Sequence, residues 1–323
     1  MTTRYIDMRS PGDGTGYYHP KRLLLYIQTP AGLFDAQPLN VSWSDIIDLP
    51  SLPSIVITAL PDVTIEISQQ AIDAEHQRYT LQYQDNNVTT LLVEVDFSST
   101  GAVQSIRNIG KHAIALTGDI TLEESIDYTI ENLIMTGTLT VTSGWIQLNN
   151  CAVKALQSTH ADVEKAVCQA KNTLFDNLEV SGRLALEYCT LLNTLKTPAL
   201  YASDSIFAGS WTLAADEVKC LVYSCVPSEV SYSDASHATT NTNKTPLFFN
   251  ATFAEVGCGV LKGNTDHAIL FGSEIGGEMG AYHHHSFYHT LEKIKEKLQD
   301  YLPIGMHVVF IVDPHLDQFV NQN

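Results

Sequence analysis

The sequence predicts an all-β protein, a single-stranded right-handed parallel β-helix with a small C-terminal helix–strand cap. Three observations predict it: an internal repeat with steps of 15 to 22 residues, short β-branched or aromatic runs between turn residues, and one amphipathic stripe near the end. The repeat aligns Ile130-Glu131-Asn132-Leu133-Ile134-Met135 with five later segments that start at Leu148, Ala170, Leu186, Ala202 and Glu217. Anchors at Asn132, Asn150, Asn172, Tyr188, Asp204 and Lys219 give steps of 18, 22, 16, 16 and 15 residues. Such steps are too short for a helical hairpin or a propeller blade and suit one rung of a solenoid, which pairs only with its neighbours. Each copy places a small or thiol residue after its anchor, including Cys151, Thr173, Cys189, Ser205 and Cys220, then an apolar pair. Stacking puts these residues in one crowded interior ladder, where a cysteine is expected to act as inert packing. A β-sandwich is the second architecture that short strands and turn signals fit.

The organisation follows in chain order. Residues 1–53 form an N-terminal β segment or cap, with strands at Tyr5-Ile6-Asp7-Met8 and Leu23-Leu24-Leu25-Tyr26-Ile27. The glycines at 12, 14 and 16 lack the Gly-Lys-Ser/Thr ending of a phosphate cradle and are taken as a turn. Residues 54–227 are assigned to the β-helix rungs. Within them Ile65, Ile67, Leu81 and Tyr83 alternate with polar residues, so one face is buried and one is wet. Residues 228–271 read as a loop and last strands, because Ser, Thr, Asn and Asp dominate from Ser228 to Thr245. Residues 272–323 hold a glycine- and histidine-rich motif, an amphipathic helix and a strand. The helix is predicted over 287–301 from Phe287, Leu291, Ile294, Leu298 and Tyr301, and the strand over His307-Val308-Val309-Phe310-Ile311-Val312.

Composition narrows the function classes. The 323 residues carry 18 basic against 36 acidic side chains, a net charge of −18, with no basic patch. Such a surface repels phosphate backbones and anionic lipids, so nucleic acid and membrane are not expected partners. No apolar run of spanning length occurs, and the N-terminus lacks the apolar core of a secretory signal. Cytoplasmic synthesis with reduced cysteines is expected, and release as part of an extracellular particle stays open.

The C-terminal motif carries a resemblance. Gly272-Ser273-Glu274-Ile275-Gly276-Gly277-Glu278-Met279-Gly280-Ala281-Tyr282-His283-His284 resembles the Gly-Ser-Glu-Met-Gly-Ala-Phe-His-His motif of a bacterial β-helix family. In that family an amphipathic helix, a Tyr-Leu-Pro turn and a final strand follow, as Tyr301-Leu302-Pro303 and Val308-Val309-Phe310-Ile311 do here. Cys220-Leu221-Val222-Tyr223-Ser224-Cys225-Val226-Pro227 is similar to a second family segment. The inserted Ile275-Gly276-Gly277 and the third histidine, His285, depart from the pattern. The family is associated with phage-tail-like contractile injection systems. The resemblance therefore implies a non-catalytic structural or binding part: a fibre, spike, adaptor or cargo. Its partners would be baseplate or tail proteins or a surface glycan, with an oligomer open. It implies no catalytic residues and no cofactor.

Two chemical alternatives stand beside this reading. His283, His284, His285 and His289, with Glu278 nearby, are the only metal-like group; His285 and His289 have the i, i+4 spacing that zinc uses, but the His-Glu-x-x-His pattern is absent. Structural or capping histidines are the favoured reading. A polysaccharide-binding or polysaccharide-cleaving β-helix is the functional alternative. Asn264-Thr265-Asp266 resembles one polygalacturonase motif, yet the accompanying motifs are missing and Arg183 stands apart from clustered acids. Polar rung faces such as Thr136-Gly137-Thr138-Leu139-Thr140 suit sugar binding without chemistry.

Overall fold

The computed structural model describes residues 3–9, 21–28, 34, 38–52, 54–57, 63–72, 77–85, 88–162, 164–212, 219–227, 240–285, 287–302 and 306–313. The 11–16 glycine loop and the 303–305 turn lie outside them. The chain starts with an antiparallel pair, β1 (Thr3–Arg9) and β2 (Lys21–Gln28). Then come β3 (Leu39–Ser42), the short helix α1 (Trp43–Ile47), and four strands: β4 (Ser54–Ile57), β5 (Val63–Ala71), β6 (Gln77–Asp85) and β7 (Val88–Phe97).

These four strands and β8 (Val103–Asn108) form an antiparallel meander. The parallel rungs expected from residue 54 therefore begin only at β8, which pairs antiparallel with β7 and parallel with the next rung. The physical reason lies in the alternation: Ile65, Leu81 and Val95 point inward while Glu66, Gln82 and Glu94 stay at least partly exposed. That is the pattern of an antiparallel sheet wet on one side.

From β8 onward the chain coils into about six turns. One sheet stacks β8, β11 (Asp127–Glu131), β13 (Trp145–Asn149), β15 (Ala166–Lys171), β17 (Arg183–Glu187), β19 (Ala199–Ser203) and β22 (Lys219–Val222). The facing sheet stacks β3, β9 (Ile114–Thr117), β12 (Ile134–Val141), β14 (Ala152–Ser158), β16 (Leu174–Val180), β18 (Thr190–Lys196) and β20 (Ile206–Phe207). Two short strands, β10 (Ile120–Leu122) and β21 (Ser210–Thr212), pair with the far halves of β12 and β18. Leu148, Leu186 and Leu200 from the first sheet meet Met135, Phe175 and Phe207 from the second in one continuous core.

Each rung turns from the first sheet to the second through one residue at positive φ: Asn132, Asn150, Asn172, Tyr188, Asp204 and Tyr223. Asn and Asp tolerate this left-handed conformation better than other non-glycine residues. The first five coincide with the repeat anchors. The sixth corner is Tyr223, not Lys219, so the last step is 19 residues and the sixth alignment was displaced by four. The 22-residue step has a simple cause: β14 ends at Ser158 and β15 begins only at Ala166, a longer interval than those after β12, β16 and β18.

The residue after each corner points inward. Leu133, Cys151, Thr173, Cys189, Ser205 and Ser224 are all nearly inaccessible. Cys220 is half-buried, on the outer face, and Ser224 takes the slot expected for it. Small hydrogen-bonding side chains suit the slot because the corner interrupts the regular ladder. The Cys189 amide donates to Ser205 Oγ at 3.0 Å, and Ser205 Oγ donates to the Ser203 carbonyl at 2.8 Å. One rung on, the Ser205 amide donates to Ser224 Oγ at 3.2 Å, and Ser224 Oγ donates to the Val222 carbonyl at 2.9 Å. The series does not stop at β22. The Ser224 amide donates to Asn241 Oδ1 at 2.8 Å, and Cys225 bridges to Thr242 in parallel. Part of the expected 228–245 loop is thus a continuation of the stack, while residues 228–239 lie outside the described set.

The C-terminal unit contains α2 (His267–Leu270), a three-residue 3-10 turn (His283–His285), α3 (Phe287–Gln299) and β23 (Met306–Asp313). The predicted helix and strand are both present. Phe287, Tyr288 and Leu291 are buried with Ile206 and Cys225 from the last rungs, whereas Ile294 and Leu298 are only half-buried. Tyr301, counted in the apolar stripe, lies beyond the helix and is 86% exposed. β23 pairs in parallel with β2 over eight residues, which gives a three-stranded sheet ordered β1-β2-β23.

Candidate functional site

The C-terminal motif is bound to the side of the solenoid. The outward row Ala115, Ile134, Ala152, Leu174, Thr190 and Ile206 runs up the second sheet next to the corners. These positions are buried, because Phe34, Cys258, Ala281 and their neighbours cover much of the row. The motif fixes its own backbone to the Asp204 corner and to Thr190, the first residue of β18 one rung earlier. The Glu274 amide donates to Asp204 Oδ1 at 2.7 Å, the Gly280 amide to the Asp204 carbonyl at 2.8 Å, and the Ala281 amide to Thr190 Oγ1 at 3.0 Å. Gly280, at φ +90°, passes so close that a Cβ there would lie 2.5 Å from Thr190 Oγ1. Only glycine meets both demands.

The histidines separate in role. His283 stacks on Tyr188 with ring centroids 3.4 Å apart, and His284 and His289 are exposed. The His285 side chain lies outside the description. Among the described residues no group of three or more His, Cys, Asp or Glu is placed to hold a metal ion. Glu278 is buried in a pocket shared with Val260, Met279, Phe287 and Tyr288. Burial pushes its carboxyl up to about 8, so it is mostly protonated below that pH. Asn264-Thr265-Asp266 serves as local structure: Asp266 caps α2 by accepting the Ala268 amide at 2.9 Å, and Thr265 Oγ1 donates to the Leu247 carbonyl at 3.1 Å. Thr136 Oγ1 likewise donates to the Leu116 carbonyl of the rung before it, and Gly137 lets the two backbones approach.

The buried thiols are poor nucleophiles. Burial pushes Cys151, Cys189, Cys225 and Cys258 up to about 12 and raises Cys168 as well.

An open site lies on the outer face of the first sheet. Here the register aligns two rows: Gln147, Gln169, Ala185, Tyr201 and Cys220, and beside them Asn149, Lys171, Glu187, Ser203 and Val222. They line a trough of about 370 Å³. Within it Ala185 contributes only a methyl group between the longer Gln169 and Tyr201, which leaves a depression at that rung. Lys171 pairs with Glu187 at 2.6 Å, and Asn149 donates to Glu131 at 3.0 Å. At the border, Arg183 lies over the Tyr201 ring at 4.8 Å, and Lys165 lies over Trp145 at 3.7 Å and meets Asp127 at 2.9 Å. Arg183 thus stiffens an aromatic wall, a role that spacing alone did not reveal.

Fold and surface together define the class: a parallel β-solenoid with an internally clasped C-terminal unit and a trough on the outer face of its first sheet. No family model, curated protein or solved structure matches the chain. Among the described residues no helix is long and apolar enough to cross a membrane.

Proposed function

We propose that the chain is a non-catalytic structural or binding component of a phage-tail-like contractile injection particle, acting as fibre, spike, adaptor or cargo. The supporting observation is the fate of the motif that carries the resemblance. Its amides at Glu274, Gly280 and Ala281 are spent on Asp204 and Thr190 of the same chain, so the motif holds the solenoid and the helix–strand unit together. A clasped solenoid suits a particle part, since its outer faces vary without disturbing the stacked core. The net charge of −18 opposes self-association at high local copy number. A polysaccharide-binding role is the second reading, favoured by the trough on the first sheet.

Purified particles from the source cells, analysed by mass spectrometry, test the first reading. Recovery of this chain in stoichiometric amount supports it. Absence from particles, together with new reducing ends or unsaturated products from pectin, alginate or chitin treated with the isolated protein, replaces it with a polysaccharide-cleaving role.

A further inference from the structure

The geometry points to the trough over Ala185 as a binding site for an extended, uncharged polysaccharide. This deepens the reading of the chain as a binding component and rests on it. Three features of the trough select that ligand.

The first is periodicity. Equivalent side chains recur once per rung, about 4.8 Å apart along the stack. A pyranose in an extended chain advances by nearly one rung, so successive sugars meet Gln147, Gln169 and the Ala185 depression in step. The amides of Gln147 and Gln169 each offer donors and an acceptor, the mixed pattern that a hydroxyl-rich chain requires.

The second is the aromatic wall. Tyr201 is half-exposed and keeps its ring at the edge of the depression, with the Arg183 guanidinium over it. A half-exposed ring already stacked with a guanidinium and flanked by amides offers a sugar a partly apolar wall with polar groups at its rim.

The third is charge. The protein is strongly acidic, yet the lysines at the trough are matched locally, Lys171 by Glu187 and Lys165 by Asp127. Glu131 and Arg183 add one charge of each sign, and Asp162, which accepts from the Lys165 amide, adds a negative one, so the site is neutral to slightly acidic. A polyanion gains no net attraction there and meets repulsion from the rest of the surface.

Isothermal titration with the full chain tests the site, using cellohexaose, xylohexaose and chitohexaose as neutral probes and oligogalacturonate as the charged one. At least one neutral probe is expected to bind. Tyr201→Ala should weaken that binding about tenfold, and Ala185→Arg, which fills the depression from the outer face, should abolish it. Gln157→Ala, exposed on the other sheet, should leave it unchanged, with circular dichroism confirming the fold of each variant. No binding of any neutral probe, exclusive binding of oligogalacturonate, or full binding by a folded Ala185→Arg variant overturns the site. A chain that is recovered in particles yet binds no neutral probe sinks the trough and leaves the particle reading standing.

Discussion

The imidazole of His283 lies flat on the phenol ring of Tyr188, with centroids 3.4 Å apart and planes 16° from parallel. The two residues belong to different parts of the chain, the C-terminal motif and the fourth positive-φ corner. Tyr188 occupies a conformation, φ +50°, that a bulky residue adopts at a cost of roughly 1 kcal/mol. Asn or Asp fills most of the equivalent corners. The stack offsets the strain and ties the motif to the rung.

Replacing Tyr188 by Asn separates those two contributions. The corner becomes easier to form, while the contact with His283 is lost. The expected result is a small change in solenoid stability in urea but faster proteolysis of the segment 272–285. Equal protease resistance in the variant would show that the stack does not hold the motif.

Glu278 makes stability depend on pH. Its carboxyl is raised by burial from 4.5 to about 8, so the folded chain keeps a proton that the unfolded chain releases. The contribution is fully present below about pH 4.5 and is lost as pH rises toward 8, at up to about 1.4 kcal/mol per pH unit. Asp204, raised by burial at the clasp, adds a slope of the same sign. Denaturation midpoints between pH 5 and 9, compared with Glu278→Gln, isolate the Glu278 share: the variant should show a distinctly flatter fall across that range.

Thiol labelling checks the register. All six cysteines are free, and Cys220 is the one that is not buried. A native sample should titrate one thiol quickly and the rest only on unfolding, and Cys220→Ser should remove the quick phase. Rapid modification of Cys151 or Cys189 would contradict the interior ladder.

The core positions should be sensitive in proportion to their burial. Thr173→Val removes the hydroxyl that accepts from the Cys151 amide and donates to the Lys171 carbonyl, at a cost of about 1–3 kcal/mol. Leu291→Ala should cost about 2–5 kcal/mol, and Leu291→Asp should give unfolded or insoluble protein. Tyr301→Ser, at an exposed position, should leave the denaturation midpoint within experimental scatter.

The repeat was legible because Asn132, Asn150, Asn172 and Asp204 are the residue types that a positive-φ corner favours, each followed by a small residue or leucine. At the sixth corner Tyr223 supplies no such signal, and the alignment slipped to Lys219. The antiparallel start of the sheet has a signal in the alternation around Ile65 and Leu81, since one buried and one wet face is the mark of an antiparallel sheet. The apolar pairs, such as Leu174-Phe175 and Ile206-Phe207, also held unused information. In a strand, neighbours point to opposite faces, so two apolar residues in succession mean that the outer face is covered too. What covers it, Ala281 and Cys258, is distant in sequence, and no local pattern encodes that contact. The trough depends on register between rungs, which spacing approximates but does not fix.

The parallel pairing of β2 with β23 sets the order in which the molecule is completed. β2 gains this partner only after the solenoid and the C-terminal motif that lie between the two strands have been synthesised. Until then β2 presents an unsatisfied backbone edge to other chains in the cell. Assembly of this small sheet is therefore expected to come late, and a chain cut short before Met306 is expected to keep that edge open and to aggregate more readily than the longer chain.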